Sequence, residues 1–165
     1  MAAVERLHAI SSRLYAARLR PLGALIQGIS RITFGVSLPA SVVVGKDTSF
    51  ANHGLGTVIH PRARIGSNCV ISACVSIGCR SKLPDVPVIE DDCFIGAGAR
   101  ILGPVRVGAG SVIGANAVVL EDVPPGSMAV GVPAKVIKTG IHARDYGDLP
   151  RELAELEASQ RAQAR

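Results

Sequence analysis

The chain has no tryptophan, two tyrosines and three phenylalanines, so aromatic residues are 3% of a 165-residue sequence that is 48% hydrophobic. Ordinary cores draw much of their buried area from rings, and this one must fill its interior with aliphatic side chains instead. No apolar run approaches the roughly 18 residues a membrane-spanning helix needs, and no basic stub leads into an apolar run at the start. Neither a membrane span nor a signal peptide is expected, and a cytoplasmic location is. The four cysteines, Cys69, Cys74, Cys79 and Cys93, lack the paired C-x-x-C spacing of a zinc site, which predicts free thiols. Acidic residues are missing between Glu5 and Asp47. The formal charge of +5 is compatible with an anionic ligand without naming one. Dispersed basic residues and so few rings leave little on which nucleic-acid bases would stack. The length allows one domain with terminal appendages.

What is present is a repeat. Every sixth residue from Ile59 is aliphatic: Ile59, Ile65, Ile71, Ile77, Leu83, Ile89, Ile95, Ile101, Val107, Ile113 and Val119. Four residues after each comes a small or modest one, from Ala63 and Cys69 through Cys93 and Ala99 to Ala117 and Val123. Glycine recurs one residue after the aliphatic at Gly66, Gly78, Gly96, Gly108 and Gly114. A helix repeats near 3.6 and a hairpin near 2, so a sustained period of six predicts a hexapeptide solenoid. In such a three-sided prism each hexapeptide supplies one short strand and one corner, and each aliphatic stacks on its counterparts in neighbouring coils. A narrow triangular interior accepts isoleucine and valine but few rings. Cys69 and Cys93 then occupy small inward positions as inert thiols.

Three regions flank or interrupt the prism. Residues 1–37 form an N-terminal helical segment, with Leu7, Ile10, Leu14 and Ala17, then Leu22, Leu25, Ile26 and Ile29 at helical spacing among Arg6, Arg13, Arg18, Arg20 and Arg31, so two helices should part near Pro21. Contact of this basic pair with anionic lipid is possible, but capping the solenoid end and touching a neighbouring subunit is favoured. Residues 79–87, CRSKLPDVP, read as a protruding loop within a β-helix spanning 38–138. The tail, 139–165, should hold a short helix with Leu149, Leu153 and Leu156 on one side.

The stretch FANHGLGTVIHP, the repeats that follow it and the terminator GVPAKVIK resemble the hexapeptide-repeat acyltransferases, and within them the serine acetyltransferase branch. The similarity runs from about Leu38 to Lys138, and the helical lead-in resembles the shorter form found with polysaccharide or secondary-metabolite pathways. The resemblance implies a mainly β fold, a left-handed parallel β-helix, assembled as a homotrimer with acetyl-CoA lying in the clefts between prisms. It implies no metal. His53 matches the catalytic histidine, which takes the proton from an acceptor hydroxyl as the oxygen attacks the thioester carbonyl; such base catalysis is worth about two to four powers of ten in rate. Asn52 and Asp85 match substrate-binding positions. Gly78, Cys79, Ala97, Ala115, Gly131, Pro133 and Lys135 match positions that line the cofactor, with Lys135 able to meet a phosphate as a point charge. Arg80 and Lys82 on the loop are further candidates for that role. His60, at a corner before Pro61, is expected to be structural.

The chain departs from the cysteine-pathway enzymes in three places. Their loop carries an R-H-P segment where this chain has Asp85, Val86 and Pro87, so a second histidine is absent. Their aspartate about fifteen residues before the base has no counterpart, which leaves Asp47, Asp85, Glu90, a backbone carbonyl or a neighbouring subunit to orient His53. Asn52 stands where they carry an aspartate that binds the serine amino group. The expected activity is acetyl transfer to a small hydroxyl acceptor, serine or a serine-like amino acid first and a sugar second. A zinc enzyme of carbonic anhydrase type would need three histidines inside the prism, where only His53 and His60 are available. An inactive CoA-binding scaffold is the non-enzyme alternative.

Overall fold

The computed structural model describes residues 3–80 and 85–146; Lys82 and Leu83 of the loop, and the tail positions Leu149, Leu153 and Leu156, lie outside them. Two helices lead the chain, α1 (Ala3–Ala16) and α2 (Arg20–Phe34). Pro21 falls in the first turn of α2, where its missing N–H costs nothing. Gly35, left-handed at φ 66°, ends that helix and returns its N–H to Arg31 O.

A three-faced solenoid follows. The first face stacks β3 (Val58–Ile59), β6 (Ser76–Gly78), β9 (Arg100–Leu102) and β12 (Val118–Val119). The second stacks β1 (Val43–Val44), β4 (Arg64–Ile65), β7 (Val88–Ile89) and β10 (Arg106–Val107). The third stacks β2 (Ser49–Phe50), β5 (Val70–Ile71), β8 (Phe94–Ile95), β11 (Val112–Ile113) and β13 (Ser127–Val130). Pairing within the faces is parallel throughout, and β14 (Lys135–Thr139) closes the third face antiparallel to β13.

The inward series carries the core. Its ten described members from Ile59 to Val119 are at most 2% exposed, and Ala63, Cys69, Val75, Cys93, Ala99 and Ala117 close the interior beside them. Burying each isoleucine is worth about 1.5–3 kcal/mol, so the stack supplies what the missing rings do not. Cys69 and Cys93 are buried free thiols, and Cys74 and Cys79 are exposed ones. The hydrogen bond with Cys69, reinforced by burial, holds the Cys93 thiol far above the ordinary thiol range.

Register exposes two insertions in the repeat. Arg100 pairs with Val118, 18 residues on, as a three-strand coil requires. Ser49 pairs with Val70, 21 residues on, which places three extra residues between Phe50 and Val58. Val70 pairs with Phe94, 24 residues on, so the loop after Gly78 is a six-residue surplus that preserves the phase.

Capping of the open end falls to α1. Val4 is buried, and Glu5, 7% exposed, accepts the Phe50 N–H at 2.8 Å from the first coil. The helices approach closely at Gly23, where an added Cβ would lie 3.3 Å from Ser11 O. The outer face of α2, with Leu22, Leu25, Ile29 and Ile32, stays exposed in the single chain. A cavity of about 590 Å³ lies between α1 and the first coil, lined by Glu5, His8, Ser12, Tyr15 and Phe50 among others. Burial lowers the His8 pKa, against the opposing pull of the Val42 and Leu38 backbone.

Candidate functional site

The three extra residues of the first coil are the segment that carries His53. Asn52 (φ 51°), His53 (φ 56°) and Gly54 (φ 69°) are all left-handed, inside a short turn over Ala51–Gly54. For a residue with a Cβ this conformation costs about 1–2 kcal/mol, and asparagine tolerates it better than histidine does. Asp47, Asn68, Asp92 and Asn116 adopt the same φ at ordinary corners, where short polar side chains suit it. Cys74, one step higher on the same edge, is also left-handed (φ 61°); what sets His53 apart is its place in the middle of three successive left-handed residues, an arrangement that points toward function. The turn is held by the Leu55 N–H to Asn52 O (3.2 Å) and the Thr57 N–H to Gly54 O (2.8 Å). Gly54 is required because a Cβ there would sit 3.0 Å from Val36 Cγ2. The outcome is an exposed imidazole, with Asn52 exposed beside it.

This turn is the lowest step of one prism edge, the edge after the third face. Above it come Ala73, Ala97, Ala115 and then Gly131, each following a strand of that face. Backbone hydrogen bonds tie the steps together: Cys74 N–H to Leu55 O (2.8 Å), Gly98 N–H to Ala73 O (2.9 Å) and Asn116 N–H to Ala97 O (2.8 Å). Four steps separate His53 from Gly131, about 19 Å at the strand spacing of ~4.8 Å. Ala97 and Ala115 are exposed along this line, and beside them the exposed Arg100 side chain lies over the edge, donating to Cys74 O (2.6 Å) and Gly98 O (2.8 Å). Gly131 and Pro133 are exposed at its top, where the Val118 N–H reaches Gly131 O and the Ala134 N–H reaches Val118 O.

Gly78, Cys79 and Asp85 lie on a different edge, across the first face, where β6 meets the loop. Among the described residues, an added Cβ at Gly78 would meet only the His60 Cβ, at 3.9 Å. Packing within the chain does not demand glycine there. At Gly96, by contrast, a Cβ would lie 2.6 Å from Ala115 N, so coil stacking does demand it. The expected residues therefore form two groups on the two borders of one face, and a single chain does not bring them together.

Other expectations resolve individually. His60 accepts the Arg62 N–H at Nδ1 (3.2 Å) within its own corner, a structural role. Lys135 is paired with Glu121 at 3.3 Å, both side chains well exposed, a contact worth ~0–1 kcal/mol. Two of the carboxylates considered for orienting His53 are elsewhere. Glu90 is engaged by Arg106 (2.6 Å) and the Ala109 N–H (2.9 Å), and Asp47 sits at the corner between the second and third faces. Among the described residues no three His, Cys, Asp or Glu side chains gather as a metal site would require. One neighbour was not legible in the sequence: Phe34, whose ring centroid lies 5.4 Å from that of His53, the planes tilted by 36°.

Residues 87–121 match the family described as "Bacterial transferase hexapeptide (six repeats)". The chain is 36% identical over 154 residues to the serine acetyltransferase of Bacillus subtilis (strain 168), covering 90% of this chain and 70% of that protein. It is 36% identical over 132 residues to the Mycobacterium tuberculosis serine acetyltransferase, covering 79% of this chain and 57% of the relative. Among solved structures, soybean serine acetyltransferase complexed with serine superposes with a TM-score of 0.76 at 35% identity, over 81% of this chain and 56% of that one. Serine acetyltransferase from Brucella abortus strain S19 in complex with coenzyme A gives 0.77 at 31% identity, over 82% and 55%. These likenesses bear out the left-handed parallel β-helix expected from the sequence. The chain spans little more than half the length of the solved relatives.

Proposed function

The chain belongs to the serine acetyltransferase family, and from that premise we propose that it transfers an acetyl group from acetyl-CoA to the hydroxyl of a small acceptor, with His53 as general base. The observation that carries this reading is the left-handed turn Asn52–His53–Gly54, which presents an exposed imidazole at the foot of the edge that carries Ala97, Ala115 and Gly131.

The acceptor oxygen gives its proton to His53 as it attacks the thioester carbonyl, forming a C–O bond and a tetrahedral oxyanion. Collapse breaks the C–S bond, and the imidazolium returns the proton to the leaving CoA thiolate. No acyl-enzyme is needed. Ala97, Ala115 and Gly131 would let the extended pantetheine arm lie against the coils, Pro133 and Lys135 would meet its nucleotide end, and Gly78 leaves space for the arm from the opposite edge.

Because the two groups of residues border one face, the site would be completed by a neighbouring copy that brings its Gly78 edge, with Cys79 and Asp85, toward this chain's His53 edge. Three such contacts close a homotrimer. Exposed Leu55 and Val58, beside the base and on the first face, are the apolar residues such a contact would bury. A cytoplasmic location belongs to the same reading.

Serine or a serine-like amino acid is the first acceptor, as for the relatives named above. One observation keeps a sugar hydroxyl as the second: Asn52 is an amide where an ammonium-binding site would favour a charge, and it is exposed next to the base. The test is release of the CoA thiol from acetyl-CoA against a panel of amino acids and sugars, beside sedimentation of the chain. Turnover with one acceptor class and a trimeric mass are expected. A monomer with full turnover would remove the shared cleft, and no turnover with any acceptor would favour an inactive scaffold.

A further inference from the structure

We infer that Phe34 is the positioning residue for His53: an aromatic ring from the end of α2 holds the imidazole where the sequence lacks an upstream aspartate between Glu5 and Asp47 to do so. The inference rests on His53 acting as the base.

A base on an exposed turn needs something to restrict its ring, because a freely rotating imidazole meets the acceptor hydroxyl in few of its orientations. Among the described residues His53 makes no hydrogen bond or ion pair. What touches it is Phe34, with centroids 5.4 Å apart and planes tilted by 36°, inside the 4.5–7 Å range of productive ring pairs. Phe34 is half-buried and also packs against the hydrophobic core.

The ring is placed by more than one contact. Phe34 is the last residue of α2, and Gly35, held by its N–H to Arg31 O (3.1 Å), fixes the direction in which the chain leaves. Gly35 O then accepts the Gly56 N–H (3.1 Å), the Ser37 N–H reaches Thr57 O (2.8 Å), and the Ile59 N–H reaches Ser37 O (2.9 Å). Residues 35–37 are thus zipped to residues 56–59, immediately beyond the base. Two close approaches, Gly35 beside Leu55 Cδ1 at 3.2 Å and Gly54 beside Val36 Cγ2 at 3.0 Å, admit no Cβ without displacement. Phe34 and His53 therefore belong to one braced unit despite lying 19 positions apart in the sequence.

The chemistry suits the ring. A phenyl group neither takes nor gives a proton, so it competes for neither imidazole nitrogen and leaves both available to the acceptor and the departing thiolate.

The test compares Phe34→Leu, Phe34→Tyr and Phe34→Ala in the full chain. Leucine keeps an apolar side chain, so its fold should survive, as circular dichroism would verify. The His53 ring protons, assigned in the native spectrum by their loss in His53→Ala, should carry a ring-current displacement that vanishes in Phe34→Leu and persists in Phe34→Tyr. In turnover, kcat should fall about tenfold to a hundredfold in Phe34→Leu with KM for acetyl-CoA unchanged, and tyrosine should restore it. In a His53→Ala background Phe34→Leu should add nothing, because a positioning residue has nothing left to position. The inference is overturned if kcat in Phe34→Leu stays within about twofold of native, or if the loss is equally large without His53. The spectrum reports whether the ring pair exists even where turnover does not depend on His53, so failure of the pairing and failure of the base remain separable.

Discussion

Gly78 separates a role in ligand binding from one in folding. Its backbone avoids the left-handed region, and among the described residues an added Cβ would meet only the His60 Cβ, at 3.9 Å. Gly78→Ala should therefore stabilise the chain by about 0.4–1 kcal/mol, through the smaller entropy of the unfolded state. For a domain of this size that is a rise in Tm of about 1–4 °C. The same methyl group projects into the space where the pantetheine arm is placed, so KM for acetyl-CoA should rise about tenfold, the equivalent of about 1.4 kcal/mol, with kcat little changed. Gly96→Ala is the internal contrast, since its Cβ would lie 2.6 Å from Ala115 N and 2.8 Å from Gly114 C, both backbone atoms that cannot step aside. Overpacking of that kind costs about 1–3 kcal/mol, so Tm should fall by about 2–12 °C. Differential scanning fluorimetry and initial rates across acetyl-CoA concentrations measure both quantities. A fall of several degrees in Gly78→Ala, or an unchanged KM, would refute the assignment.

Three further outcomes follow from particular residues. Asn52→Asp places a charge beside the base and should raise kcat/KM for serine about tenfold while leaving sugar acceptors unchanged; an equal effect on both classes would detach Asn52 from amine recognition. Ile113→Ala, at a fully buried stack position, should cost about 2–5 kcal/mol in urea unfolding, whereas Ile32→Ala, 89% exposed on α2, should fall within about 0.5 kcal/mol of native; similar costs would contradict the described core. Hydrogen bonds from Arg106 and then the Ala109 N–H hold Glu90 below the ordinary glutamate range, so its contribution is present above the unfolded glutamate value and is lost as pH falls through the folded one. The gap in Tm between native and Glu90→Gln should therefore be open at neutral pH and close on acidification below about pH 4, and a constant gap would count against the pairing.

The solenoid was legible because one physical rule, an aliphatic residue at every sixth position, acts on many residues at once, and a narrow prism leaves few alternatives at those positions. Periodicity alone does not mark the loop at 79–87, because a six-residue surplus preserves the phase; its prolines and alternating charges do, and the 24-residue step from Val70 to Phe94 gives the size of the insertion. The three-residue insertion carrying His53 lies ahead of the first member of the series and disturbs no phase within it. The motif singled out His53 as the candidate base, but not the backbone conformation it adopts, since nothing in the letters N-H-G distinguishes an ordinary corner from three successive left-handed residues. The Phe34 contact, the Glu121 partner of Lys135 and the commitment of Glu90 to Arg106 arise between coils or between helix and coil. Each depends on which residues the register sets side by side.

The central claim is that His53 removes the proton from the acceptor hydroxyl. The most direct measurement is kcat for CoA release by His53→Ala beside the native chain, with the best acceptor and saturating acetyl-CoA, after matched thermal melts show both are folded. A fall of about a hundredfold or more with KM for acetyl-CoA preserved is the predicted result. Turnover untouched by the substitution would contradict the account.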